Sequence, residues 1–447
     1  MKLQIDFHRM TVTRTISLGF AAIILVGAML LMLPPASRDH QALPFLHALF
    51  TSASATCVTG LAIYDTYTQF TFFGQFVILL LIQIGGLGFM TVALQFSLAV
   101  GRRIGLRERS LLSESVGSNQ VGGVVRMVRR VLYGTLIIEG VGAVLLGLRF
   151  VPMLGVVRGI WFAVFHSVSA FCNAGFDLMG IFTPSLSLEY FIGDALVSVT
   201  VMGLIIVGGI GFVVWNDLIE SEFRYKKLKQ HTRVVIFATA VLILAGAGLF
   251  YAFEHDAALA ELPRGTQILA SLFQSVTPRT AGFSVVQVSS MSPGAKLLTM
   301  LLMFIGAAPG GTGGGVKITT IVVAIAALVA SLRKYEDVTI GSHRVSSDVL
   351  WRAFCGILSY ALTAFFAMLV LSAQGIEITD AMFECLSALG TVGLSTGVTS
   401  GLPALSMIAV ILLMYIGRIG SLTVFMAMMR SRGPGKIRNP VGIILIG

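Results

Sequence analysis

Charge is scarce in this chain. Of 447 residues, 12% are Asp, Glu, Lys or Arg, against about 25% in an ordinary soluble domain. Four cysteines without C-x-x-C spacing argue against a disulfide framework and against a thiolate metal site, and leave small polarizable packing residues as the reading for all four. The seven histidines show no ligand spacing, and no HExxH, paired intramembrane Asp or Ser/His/Asp constellation is present, so nothing supports an embedded enzyme. The first apolar run ends at Leu33-Pro34-Pro35 without the usual small-residue cleavage site, and is read as a retained span.

What the chain has in abundance is apolar sequence: 56% of residues are hydrophobic, and the mean hydropathy is +0.90. A membrane-spanning helix needs about 20 apolar residues. Runs of that order recur at 16–33, 72–100, 131–148, 191–214, 234–253, 297–332, 354–371 and 404–429. The fold class that follows is an all-α polytopic membrane protein.

The formal charge of +10 raises nucleic acid as a partner, but its distribution argues otherwise. Basic residues gather before the first span (Lys2, Arg9, Arg14), between Arg102 and Arg130, between Arg224 and Arg233, between Arg333 and Arg352, and after Arg430. The intervening connections carry acids instead, among them Asp65, Asp177, Glu189, Asp194, Glu254 and Glu377. Basic groups in alternate connections are the positive-inside pattern, which predicts a cytoplasmic location for both termini and three loops. The bilayer, with some contact to anionic lipid, is then the partner of this charge, not nucleic acid.

The stretch TSASATCVTGLAIYD, residues 51–65, is too polar to continue a span and too apolar for an ordinary loop. It has three relatives: VFHSVSAFCNAGFD from 164, LFQSVTPRTAGFS from 272 and FECLSALGTVGLS from 383. Aligned on a glycine followed by a bulky apolar residue, the marks are Gly60, Gly175, Gly282 and Gly393, spaced 115, 107 and 111 residues apart. Phe50, Phe165 and Phe383 precede their glycines by ten residues, and Phe273 by nine, so the third copy is one residue shorter. Taken singly, such a triplet is a tight turn or a helix-packing spot. Four copies at near-equal spacing are a repeat.

Each copy follows one plan: span, short helix, glycine stretch, span. Two spans per copy give all four the same orientation, unlike the inverted repeats of many carriers. The predicted architecture is eight transmembrane helices plus four re-entrant pore loops around one central pore. Its parts are repeat 1 (1–100), repeat 2 (101–222), repeat 3 (223–334), repeat 4 (335–432) and a cytoplasmic tail (433–447). Irregular backbone at membrane depth is tolerated where protein buries it or water reaches it. There, main-chain carbonyls can replace the hydration shell of a cation, and the C-terminal end of each short helix turns its negative pole to the axis. Hydroxyls at Thr56, Thr59, Thr280 and Thr391 supply ligands or hold neighbouring backbone.

At these residues the chain resembles the TrkH/KtrB/HKT superfamily of potassium transporters, over nearly its whole length and most closely the KtrB branch. The resemblance implies four span–pore helix–span units. Their filter stretches are Thr56-Cys57-Val58-Thr59-Gly60, Cys172-Asn173-Ala174-Gly175, Thr280-Ala281-Gly282 and Thr391-Val392-Gly393. It further implies uptake of K+, often Na+-dependent, through one pore per subunit of a homodimer. A cytoplasmic ring of KtrA-type subunits would carry the regulatory nucleotide. One glycine per repeat, where tetrameric potassium channels have TVGYG, implies fewer carbonyl rings and weaker discrimination against Na+. Arg279 and Glu384 are predicted to pair behind the filter as a buttress, because an intramembrane charge needs a partner.

One span is broken. FIGAAPGGTGGGVKITT, residues 304–320, packs Gly310, Gly311, Gly313, Gly314 and Gly315 behind Pro309. Glycine costs a helix about 1 kcal/mol per site and proline about 3. The spacing does not match a phosphate-binding GxxxxGK[ST] loop, which would also follow a strand. By resemblance, residues 305–316 form an intramembrane gate, with Lys317 and Arg418 as the basic groups beside it. Glu139, a lone acid within a span, is either a helix-interface hydrogen bonder or part of a cation route. Gln83 and the glycines at 85, 86 and 88 read as close helix packing. The alternative function is a sodium-coupled symporter of the alternating-access type.

Overall fold

The computed structural model describes residues 12–88, 123–184, 186–421 and 423–424. The ends of the apolar runs 72–100 and 404–429, part of the basic cluster from Arg102, and the tail 433–447 lie outside the described residues.

The regular structure of the described chain is helical, apart from one hairpin of two-residue strands. Three helices open it: α1 (Val12–Leu31), α2 (Phe45–Thr56) and α3 (Phe72–Leu87). The second group is α4 (Val124–Leu154), α5 (Val156–Phe171) and α6 (Ala195–Gly209), with α7 (Phe212–Glu220) following a 90° bend. The third is α8 (Gln230–Glu254), α9 (Arg264–Val276) and α10 (Pro293–Phe304), then a loop and α11 (Ile318–Leu332). Strands β1 (Thr339–Ile340) and β2 (His343–Arg344) form the hairpin before α12 (Ser347–Ala373), α13 (Ile378–Gly390) and α14 (Ala404–Ile419).

Among the described residues, four helices are long and apolar enough to cross a membrane: 14–31, 125–154, 230–254 and 347–373. They are α1, α4, α8 and α12, the first member of each group. The other spans expected from sequence are shorter apolar helices or bent pairs. Each long helix buries under a third of its apolar window, and α4 leaves Leu136, Ile137, Val141 and Val144 exposed. Water would not tolerate such a surface; hydrocarbon does.

The second helix of each group is the buried one. Phe50, Phe165, Phe273 and Phe383, the aromatic marks of the repeat, are fully buried. Serines weld these helices to the long helix before them. Ser52 Oγ donates to Ile24 O at 2.7 Å, Ser167 Oγ to Glu139 O at 2.6 Å and Ser275 Oγ to Ile243 O at 2.7 Å. In each case a glycine lies three residues on in the long helix, at Gly27, Gly142 and Gly246, where a methyl would strike the serine hydroxyl. In the fourth group Cys385 takes the serine's place.

Candidate functional site

Each buried helix ends at a bend, and the four bends share one backbone conformation. Val58, Asn173, Thr280 and Thr391, two residues before each marker glycine, have φ of 55°, 57°, 73° and 52°. The glycines Gly60, Gly175, Gly282 and Gly393 have φ of 92°, 68°, 79° and 95°. A left-handed non-glycine residue costs roughly 1–2 kcal/mol, and more is expected where the side chain is β-branched, as at Val58, Thr280 and Thr391. Strain repeated four times in register is held by its surroundings and makes the bends the candidate functional site.

Hydroxyls do part of the holding, one per repeat and at one place. Ser54 Oγ accepts from Gly60 N and Ser387 Oγ from Gly393 N, both at 3.1 Å. Ser169 Oγ donates to Phe176 O at 2.6 Å, and Thr277 Oγ1 donates to Phe283 O. These residues precede their glycines by six positions, or five in the shorter third copy. The spacing was present in the sequence and was the signal missed.

The bends close on one another in chain order. A methyl on Gly60 would lie 2.6 Å from Ala174 O, and one on Gly175 2.7 Å from Ala281 O. Methyls on Gly282 and Gly393 would strike Val392 O and Thr59 O respectively. Repeat 1 thus touches 2, 2 touches 3, 3 touches 4, and 4 returns to 1, with a carbonyl at every seam. Only glycine leaves room. Asn173 adds a side-chain link at the inner end, its amide meeting the Thr280 hydroxyl at 3.2 Å.

On one side of this ring opens a cavity of about 270 Å³ lined by all four glycines together with Asp65, Asp177 and Glu189. Asp177 Oδ1 accepts from Met179 N at 2.9 Å. Burial, reinforced by the Asp65 carboxylate and partly offset by that N–H, pushes the Asp177 carboxyl up to about 7.

On the other side lies the glycine-rich loop. Its neck is clamped by a parallel bridge between Ile305 and Val316, with Gly306 N donating to Val316 O at 2.9 Å. The bent second group holds its flank. Ala308 N donates to Gly209 O at 3.0 Å, Thr312 N to Gly208 O at 3.3 Å, and Phe212 N to Gly310 O at 2.9 Å. Its tip lies against the ring: Gly314 N donates to Thr391 Oγ1 at 3.1 Å, and a methyl on Gly313 would strike Thr280 Oγ1. Lys317 Nζ donates to Gly313 O at 2.7 Å and Gly314 O at 3.3 Å. Arg418 donates to Thr312 O, and also to Gly85 O and, at 3.1 Å, Gly86 O at the end of α3.

The Arg279–Glu384 pair does not form. Arg279 Nη2 donates to Thr239 Oγ1 of α8 at 3.2 Å, whereas Glu384 accepts from Ser395 Oγ and, at 2.9 Å, Thr399 Oγ1. The reason is level. Arg279 precedes its glycine by three residues and Glu384 by nine, and six helical residues are about 9 Å of rise. Arg279 shares its place with Cys57 and Cys172, both buried and free, at the rear of the bend.

Comparison with known proteins identifies the family. The family model TrkH, described as "Cation transport protein", matches residues 10–433. The chain is 37% identical to the Ktr system potassium uptake protein B of Bacillus subtilis, covering 99% of this chain and 98% of that one. It is 36% identical to the potassium/sodium uptake protein NtpJ of Enterococcus hirae, with 98% of each covered. Its fold matches the crystal structure of the potassium transporter TrkH from Vibrio parahaemolyticus with a TM-score of 0.76 at 18% identity, over 96% of this chain and 87% of that one. The chain belongs to the TrkH family of cation transport proteins.

Proposed function

We propose that the protein takes up potassium across the plasma membrane through a channel-like pore. The ring of four bends is its selectivity filter and the loop 305–316 its gate. The observation that carries this reading is the closed ring, with Thr59, Ala174, Ala281 and Val392 carbonyls at the seams between four glycines. Main-chain oxygens at fixed separation replace the water an alkali cation sheds. The acid-lined cavity on one face raises the local cation concentration. On the other face the loop, pinned by Arg418 and Lys317, stands across the path in a closed arrangement.

The names of the relatives extend the proposal. "Ktr system" favours assembly with regulatory subunits, here a cytoplasmic KtrA-type ring that binds nucleotide beneath a homodimer of this chain. "Potassium/sodium uptake" favours a role for Na+ as activator or co-transported ion. The alternating basic connections favour cytoplasmic termini.

The test is growth of cells lacking potassium uptake at low external K+, with and without Na+, for wild type and Gly282→Ser. Wild type should restore growth. Gly282 has φ +79° and faces Val392 O, so serine must displace a seam carbonyl, and Gly282→Ser should fail to restore growth or should admit Na+. Rescue by the variant with unaltered ion preference would refute the filter. Single-channel currents far above carrier turnover would separate the pore from an alternating-access symporter.

A further inference from the structure

At the bend of the second repeat a carboxyl, an amide and a thiol meet. Behind Cys172, at the end of α5, three helices bring polar side chains together inside the protein. Gln83 Nε2 on α3 donates to Glu139 Oε2 on α4 at 3.3 Å. The Cys172 thiol donates weakly to Gln83 Oε1 at 3.6 Å and to Glu139 Oε1 at 3.9 Å. Glu139 is 6% exposed and Cys172 fully buried, although Leu136, Ile137 and Val141 of α4 are exposed. The places that correspond to Glu139 on the first and third long helices hold Ile24 and Ile243, whose carbonyls accept the same serine bond.

A carboxyl at membrane depth costs several kcal/mol unless it is neutralised or fully bonded. No ion pair to Glu139 is formed among the described residues, and its contacts are an amide and a thiol. Such a group marks a task, and the contacts say which. Gly86, three residues beyond Gln83, packs onto Cys172 so closely that a methyl would lie 2.6 Å from Sγ. The end of α3 thereby presses on the segment that enters the ring. Asn173, next in the chain, is the left-handed residue that reaches Thr280 of the third bend.

We propose that Glu139 and Gln83 are positioning residues for ion selectivity: a clasp from two different repeats that fixes Cys172, and through it the Asn173–Gly175 edge of the ring. Neither touches the ion. The proposal rests on reading the ring as the filter. Where selectivity depends on the fit of carbonyl oxygens, displacing one edge of the ring weakens the preference for K+ over Na+.

The measurement is inhibition by Na+ of radiolabelled Rb+ uptake in proteoliposomes, alongside yield and monodispersity of each variant. Glu139→Ala and Gln83→Leu should each lower the preference for Rb+ over Na+ by about tenfold. The double variant should be no worse than the poorer single, since both undo one clasp. Glu139→Gln, which keeps shape and hydrogen bonding, should restore the wild-type preference. Should Glu139→Ala fail to fold, Gln83→Leu, at a half-buried site, still gives the answer. Well-folded Glu139→Ala and Gln83→Leu proteins with wild-type preference would overturn the clasp, as would Glu139→Gln behaving like Glu139→Ala, which would assign the effect to charge. Gly175→Ser separates the two readings. If it shifts the preference while the clasp variants do not, the clasp alone fails; if it too is silent, the filter fails.

Discussion

Four glycines, a strained residue two places before each, and one hydroxyl per bend compose the site at the scale of residues. The glycines were legible because a repeat raises a weak triplet above chance. The left-handed Val58, Thr280 and Thr391 were not, since β-branched residues argue against that conformation and only the closed ring enforces it. The serines welding the short helices to α1, α4 and α8 stood at constant offsets in the sequence, but hydroxyls in apolar helices are easily taken for packing. Arg279 and Glu384 do not pair because, though opposite in charge, they stand six residues apart in level relative to their glycines. Asp177 supplies a prediction at this scale. Its carboxyl, pushed up to about 7, gains a proton as external pH falls through that value, and the mouth loses a negative charge beside Asp65 and Glu189. The apparent affinity for external K+ should therefore weaken by about threefold between about pH 8 and about pH 6. Asp177→Asn should show the weaker affinity throughout and a flatter profile. Uptake kinetics at graded external pH check this; equal pH dependence in both proteins would contradict it.

The broken span is the informative element. Its break was legible, because no helix survives six glycines and a proline between residues 306 and 315. Its anchorage was not, because its partners lie about a hundred residues away, in the kink between α6 and α7 and at Arg418. The break divides the apolar run 297–332 into α10 and α11. The Ile305–Val316 clamp holds the neck whatever the length of the tip. Deletion of residues 310–314 should then leave a folded protein without the segment that meets Thr280 and Thr391. Potassium flux in proteoliposomes should rise by about tenfold or more, the removal of a barrier of at least about 1.4 kcal/mol. Unchanged flux would remove the gate assignment.

At the scale of the whole molecule, composition was sufficient for the class. Low charge and recurrent apolar runs exclude a water-solvated exterior, and the exposed leucines and valines of α4 and α12 agree. The count of spans was less legible. Only the first helix of each repeat meets the length expected of a membrane span among the described residues, because the third is short, bent or broken where it lines the site. In the proposed orientation, with the basic connections in the cytoplasm, the β1–β2 hairpin is cytoplasmic along with both termini. Ser342→Cys at its tip should therefore be labelled by a membrane-impermeant maleimide in inside-out vesicles and spared in intact cells; the reverse pattern would invert the topology.

The central claim is that four carbonyl-lined bends strip water from a potassium ion on one axis. Crystals of the protein grown in Rb+ salt and measured at the rubidium edge test it most directly. The account predicts anomalous density on the axis encircled by Gly60, Gly175, Gly282 and Gly393. A strong peak elsewhere in the protein, with none inside that ring, would contradict it.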